Sequence, residues 1–267
     1  MCDGAPDQCI AGIEVVEALE QLGLPFTGAD SAFYGAPRER TKQVCQKLGL
    51  PTPAYAFAGD MATVQSAAER LRFPLFVKHH DSYNSVGLGP SSRVEDSAAL
   101  RTEAVRMLDQ YGRVLIEEFI EGDEISALVL ENPDAPDQPL VLRPIRIGLP
   151  PGESFVHSAL KGSGRPTLGW QQVTNEEVCR LIAETVRALF IGLRATSYGR
   201  CDLRMSRAGD LFILEMNANC GIFYVPGTID YPSIADAILL NDPLGPAGFL
   251  SHIIRTALVR HARSQSA

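Results

Sequence analysis

Arg200-Cys201-Asp202-Leu203-Arg204-Met205 and Leu211-Phe212-Ile213-Leu214-Glu215-Met216-Asn217 are the two runs on which the reading of the fold turns. Each alternates apolar and polar residues with period two, and a glycine-containing segment joins them, so together they predict a β-hairpin. An even-numbered turn at Arg207-Ala208-Gly209-Asp210 sets Asp202 opposite Glu215 and Arg200 opposite Asn217, all on one face. Two carboxylates held about 5 Å apart repel unless a cation sits between them. Asp and Glu oxygens with a neutral Asn amide oxygen suit Mg²⁺, which keeps its remaining positions for water and phosphate. Cys201, Leu203, Met205, Phe212, Leu214 and Met216 are then expected to point the other way, into the core. The alternative is a half-exposed hairpin whose acids face solvent, and periodicity alone does not separate the two.

Working outward, the flanking segments alternate helix and strand. The patterns predict helices over about 11–22, 38–48, 61–72, 95–110, 175–193 and 246–263. Strands are expected at 24–28, 73–78, 114–120, 124–130 and 140–148, with surface loops at 79–90 and 131–139 and a long irregular stretch from Pro150 to Trp170. Hairpins interrupt the alternation, so a doubly wound parallel sheet does not fit. A mixed α/β (α+β) protein with two mainly antiparallel sheets does.

Composition narrows the function. With 267 residues, 45% hydrophobic and only 21% charged, the chain is too apolar for disorder and long enough to bury a substantial core. A net charge of −8 leaves no basic excess to displace counterions from nucleic acid or an anionic membrane, so neither is an expected partner. No apolar run reaches the ~20 residues of a membrane span. The six cysteines show no paired spacing, and together with the lack of a leader-like segment after Met1 they point to a reducing cytoplasm.

Only four of the 24 basic side chains are lysine: Lys42, Lys47, Lys78 and Lys161. One closes a hydrophobic strand before a glycine-bearing loop and another lies in the long irregular stretch, placements that suit point charges on phosphate. Lys47 reads as an ordinary surface residue. The Ser82-Tyr83-Asn84-Ser85-Val86-Gly87 loop has the composition to wrap phosphates with backbone N–H groups.

The order of a helix lysine, a strand-end lysine with its loop, Ile116-Glu117-Glu118-Phe119-Ile120-Glu121-Gly122-Asp123-Glu124, then Arg200-Cys201-Asp202 and Leu214-Glu215-Met216-Asn217 resembles the ATP-grasp superfamily. Within it, the chain is similar to the D-alanine–D-alanine ligase-like carboxylate–amine ligases. The likeness implies a remnant of an N-terminal α/β domain over 1–35, a small ATP-grasp subdomain over 36–121 and a C-terminal subdomain over 122–267. It implies that Lys42 and Lys78 bind nucleotide phosphates and that the loop from Ser82 through Ser85 and Val86 closes over them. Glu117, Glu118, Phe119 and Ile120 would form the adenine hinge, and Glu124 would take the ribose hydroxyls. Asp202, Glu215 and Asn217 would hold magnesium, with manganese as a substitute, while Arg200, Lys161 and Ser85 would serve catalysis. The implied reaction is ATP-driven amide formation between a small carboxylate and an amine, expected to be amino acids, through an acyl phosphate, in an enzyme whose relatives are often homodimers. A nucleotide-binding module without ligase activity and an ATP-grasp phosphotransferase are the competing readings.

Overall fold

A computed structural model describes residues 12–81, 85–157, 160, 168–223 and 233–266. Their chain order is α1 (Ile13–Gln21), α2 (Ser31–Tyr34), α3 (Arg38–Leu48), β1 (Tyr55–Ala58), α4 (Met61–Arg70), β2 (Leu75–His79), β3 (Arg93–Val94), α5 (Ser97–Tyr111) and β4 (Val114–Glu118). There follow β5 (Gly122–Leu130), β6 (Leu140–Val141), β7 (Ile145–Gly148), β8 (Gly169–Gln172), α6 (Glu176–Leu193), β9 (Tyr198–Ser206), β10 (Leu211–Asn217), α7 (Ile234–Asn241) and α8 (Gly245–Ser264). The two expected antiparallel sheets are both present.

The smaller sheet has the order β1-β4-β2-β3 and buries one face under α4 and α5, where Val64, Ala67, Leu100, Ala104 and Met107 meet Leu75, Val77, Val114 and Ile116. Both helices begin at side-chain caps: Asp60 accepts from the Thr63 N–H, and Asp96 from the N–H groups of Ala98 and Ala99. The larger sheet has the order β10-β9-β5-β7-β8, with β6 on β5. Its inward alternate residues, Ile125, Ala127, Val129, Cys201, Leu203, Leu211 and Ile213, pack against α6, whose apolar side presents Ile182, Val186, Leu189, Phe190 and Leu193. Helix α3 joins this same core through Cys45 and Val44. A Cβ on Gly192 of α6 would come within 2.7 Å of the Val44 and Leu48 side chains, so the two helices approach as closely as glycine permits. On the opposite face α7 and α8 cover Leu128, Leu130 and Ile145 at one end, and the other end is left open as a cleft toward the smaller sheet.

Several expectations need correction. Residues 24–28 form no strand, because side chains take up the backbone groups a ladder would use: Arg260 donates to the Phe26 and Gly28 carbonyls, and Ser197 accepts from the Gly28 N–H. The expected strand 140–148 is two short pieces, broken where Pro144 has no N–H to donate. The stretch from Pro150 to Trp170 ends in β8, and β1 and α7 were not anticipated. Phe212 and Leu214 do not point into the core. Phe212 pairs with Arg204, and Leu214 lines the cleft.

Candidate active site

The cleft between the sheets encloses about 430 Å³. At one end, Glu215 is the ladder partner of Asp202 and Asn217 that of Arg200, as the hairpin reading requires. The route to that pairing differs. The turn is the three-residue Arg207-Ala208-Gly209, with Gly209 at φ +92°, so near the turn Leu211 pairs with Met205 and Ile213 with Leu203. A bulge at Leu214 inserts one residue and restores the register that turns Glu215 and Asn217 to the cleft. Segment 51–52 pins the bulge: the Ile213 N–H donates to the Pro51 carbonyl at 2.8 Å, and the Thr52 hydroxyl donates to the Ile213 carbonyl at 2.8 Å.

Every acid at this end has fixed donors. Asp202 Oδ1 accepts from Arg200 Nε at 2.8 Å and from the buried Ser126 hydroxyl at 2.7 Å. Its Oδ2 accepts from Arg200 Nη2 at 2.7 Å and Asn217 Nδ2 at 2.9 Å. Glu215 Oε2 accepts from Arg38 Nε at 2.9 Å and Nη2 at 2.6 Å, and Oε1 from Asn217 Nδ2 at 3.3 Å. Burial alone would raise the Glu215 pKa, but the nearby charges of Arg38 and Lys78 outweigh it and hold the carboxyl well below its ordinary range. The Arg200 guanidinium, buried against Asp202, is held firmly charged.

Glu117 governs the opposite wall. It is 2% exposed and ion-paired to both lysines, to Lys78 at 2.5 Å and to Lys42. Burial pushes its pKa up, yet the two ammonium groups dominate and bring it down to about 2. Lys78 lines the cleft. Lys42 is wholly buried behind Glu117 and reaches the Thr52 hydroxyl at 2.7 Å, so a hydrogen-bonded chain runs from Glu117 through Lys42 and Thr52 to the bulge at Ile213.

The third part of the cleft is aromatic. Phe155 packs edge to face on both Phe76 and Phe119, which are tilted on each other, and the guanidiniums of Arg93 and Arg204 each stand 4.6 Å from the Phe119 ring centroid. Arg204 also donates to the Gly122 and Ser154 carbonyls and stands 3.8 Å from Glu124. The Glu118 and Phe119 N–H groups go to the Ala54 and Pro74 carbonyls, and the Glu118 carboxylate pairs with Arg72 at the rim.

The structure therefore brings Lys78, Ser85, Val86, Glu117, Glu118, Phe119, Ile120, Glu124, Arg200, Asp202, Glu215 and Asn217 to one cleft. Ser82 and Lys161 lie outside the described residues. Gly87, which follows Ser85 and Val86, is anchored, since Arg106 donates to its carbonyl at 2.9 Å while pairing with Glu103 at 2.5 Å. Arg38, Thr52, Ser126 and Arg204 escaped the sequence reading. Ser126 and Arg204 were within reach, because period-two alternation puts them on the same faces as Glu124 and Asp202. Arg38 stands in an ordinary charged first helical turn, where nothing in the sequence distinguishes it.

A hard cation fits the hairpin end. Among the described residues no three His, Cys, Asp or Glu side chains gather as a complete metal cage. The Asp202–Glu215 pair with Asn217 instead offers a few oxygen ligands open to the cleft, the donor set of a cation that completes its shell with water and phosphate. The Asn217 amide already bridges both carboxylates, and a half turn about its χ2 exchanges nitrogen for oxygen.

Comparison with known proteins places the chain in a family. The family model described as D-ala D-ala ligase C-terminus matches residues 44–228. A D-alanine–D-alanine ligase of Xylella fastidiosa is 34% identical over 219 residues, 78% of this chain and 67% of that one. Another, of Stutzerimonas stutzeri, is 32% identical over 221 residues, 80% of this chain and 63% of that one. The chain thus spans about two thirds of the length of these curated relatives. The solved D-alanine–D-alanine ligase of Bacillus anthracis complexed with ATP has the same fold, with a TM-score of 0.68 at 20% identity over 98% of this chain and 77% of that one.

Proposed function

Because the chain belongs to the D-alanine–D-alanine ligase family and has the ATP-grasp fold, we propose that it is an ATP-dependent carboxylate–amine ligase acting on small, amino-acid-type substrates. The observation that carries this reading is the facing of Asp202, Glu215, Asn217 and Arg200 against Lys78 and Glu117 across one cleft. A triphosphate laid between them meets cations on both sides. Lys78 contacts it, and Lys42 keeps Lys78 and Glu117 in place from behind. The Phe76, Phe119 and Phe155 cluster takes the base, with backbone recognition falling to Ile120 because the N–H groups of Glu118 and Phe119 before it are engaged. Glu124 takes the ribose. Ser85 and Val86, with Ser82 and Lys161, cover the phosphates from their loops.

Asp202, Glu215 and Asn217 would hold Mg²⁺, or Mn²⁺ in its place, which neutralises charge on the transferring phosphoryl group. In the reaction, a substrate carboxylate oxygen bonds to the γ-phosphorus as the bond to the bridging oxygen breaks, releasing ADP and an acyl phosphate. The amine of the second substrate then attacks the carbonyl carbon, loses its proton, and expels phosphate. Arg200 stabilises the oxyanions of both steps. No side-chain nucleophile is required, and positioning with electrostatics supplies the catalysis.

Phosphate release with ATP and pairs of amino acids, D-alanine first, tests the reading, with the product identified by mass spectrometry. An amide is the expected product. Nucleotide binding without turnover would reduce the chain to a binding module, and a stable phosphate ester would make it a phosphotransferase. The double variant Asp202→Asn, Glu215→Gln is expected to lose turnover by at least about 10³-fold. Full activity in it would remove the metal assignment.

A further inference from the structure

We infer that Arg38 is an exchangeable counter-ion for Glu215, which closes the cation site to free metal and opens it to metal carried by a triphosphate. The inference rests on the nucleotide reading above and adds a residue to it. Arg38 is the first residue of α3, where the helix dipole disfavours a cation, so its orientation must be held by something else. Hydrogen bonds from its side chain and its backbone hold it. Glu215 takes two guanidinium hydrogens, the His79 carbonyl takes one from Nη1 at 2.8 Å, and Asp81 accepts the Arg38 backbone N–H at 2.9 Å.

Every carboxylate oxygen of Asp202 and Glu215 accepts a hydrogen bond from the protein, and each charge is matched by an arginine. Four cations (Arg38, Lys42, Lys78 and Arg200) surround three carboxylates (Glu117, Asp202 and Glu215), with a fourth carboxylate, Asp81, behind Arg38. A bare dication gains little there, since it must displace an arginine from its carboxylate. A triphosphate reverses the balance. Its oxygens offer Arg38 a new anion, complete the cation's shell, and leave Glu215 free to ligate. Arg38 is better placed to move than Arg200. Arg200 sits on the same strand face as Asp202, whereas Arg38 hangs from the segment that directly follows the phosphate-facing Lys78.

The test uses the whole chain without nucleotide and reads free Mn²⁺ by electron paramagnetic resonance. Arg38→Met is expected to bind Mn²⁺ at least about tenfold more tightly than the natural protein, and to bind a non-hydrolysable ATP analogue in EDTA at least about tenfold more weakly, because one cation has left the site. A purely structural arginine would not give tighter metal binding on removal. Equal or weaker Mn²⁺ binding in Arg38→Met overturns the exchange. Should that variant not fold, Arg38→Lys, which keeps the charge but loses the two-pronged contact, is expected to shift Mn²⁺ affinity upward by a smaller factor, and no shift overturns it equally. A natural protein that fails to bind the analogue even with Mn²⁺ would defeat the proposed function, while the metal-only comparison still judges Arg38.

Discussion

Glu215 faces Asp202 because Leu214, between it and the turn, is an extra residue in its strand. Deleting Leu214 is expected to carry the turn's own register to the end of β10 and drive Glu215 and Asn217 toward the apolar side of the sheet. The deletion should abolish Mn²⁺-dependent nucleotide binding in calorimetry, whereas Leu214→Ala should retain it. Retained binding in the deletion would show that the bulge does not set the site.

Lys42 is wholly buried against Glu117, and removing it leaves that carboxylate balanced by Lys78 alone. Lys42→Met is expected to cost about 3 kcal/mol in urea unfolding, and Lys42→Met with Glu117→Gln should cost more, because the buried Lys78 then loses its carboxylate as well. If the single and double variants are equally destabilised, packing and not charge is the reason for Lys42.

The same carboxylate makes a pH signature. Its pKa in the folded protein, about 2, lies below the ordinary 4.5, so the stability it contributes is fully present above pH 4.5 and is lost as the pH falls toward 2. Chemical unfolding at stepped pH should show a decline across that window that Glu117→Gln lacks.

Gly122 opens β5 at φ +146°, and a Cβ there would sit 1.9 Å from the Met205 carbonyl oxygen. Gly122→Ala is expected to cost at least about 3 kcal/mol, measured by thermal unfolding, because backbone and not a flexible side chain stands in the way.

Arg204 holds Phe119 by its guanidinium face and the Ser154 segment by a hydrogen bond. Arg204→Met should lower stability by about 2–4 kcal/mol and speed proteolysis near residue 154, since both charge-assisted bonds to carbonyls disappear. Unchanged cleavage would mean that the segment is held by Phe155 alone.

How far the residues themselves disclosed this arrangement depends on the range of each interaction. The strand alternation around Asp202 and the scarcity of lysine point to residues that the fold gathers in this cleft, because both signals are local or compositional. The acidic pair was found through an even turn that does not exist, and it survived because the bulge compensates for the odd one. Phe212 and Leu214 were assigned to the core for the same reason, and there nothing compensated. Arg38 lies 177 positions from Glu215 and Thr52 lies 161 from Ile213. Such pairings are decided by how α3 and the residues after it dock, which no short-range periodicity encodes. Residues 24–28 have the extended composition of a strand but find a guanidinium and a hydroxyl where a neighbouring strand was needed.

Helix α3 is locked by Val44 and Leu48 onto Gly192 and so travels with the larger sheet, while Glu117 and Lys78 travel with the smaller one. The ties from α3 to the smaller lobe at this point, Lys42 to Glu117 and Arg38 to the His79 carbonyl, are ionic and polar rather than greasy. Any rocking of the two lobes about this seam should therefore respond to a bound anion that competes for Arg38, and little to bulk salt, because buried pairs are weakly screened.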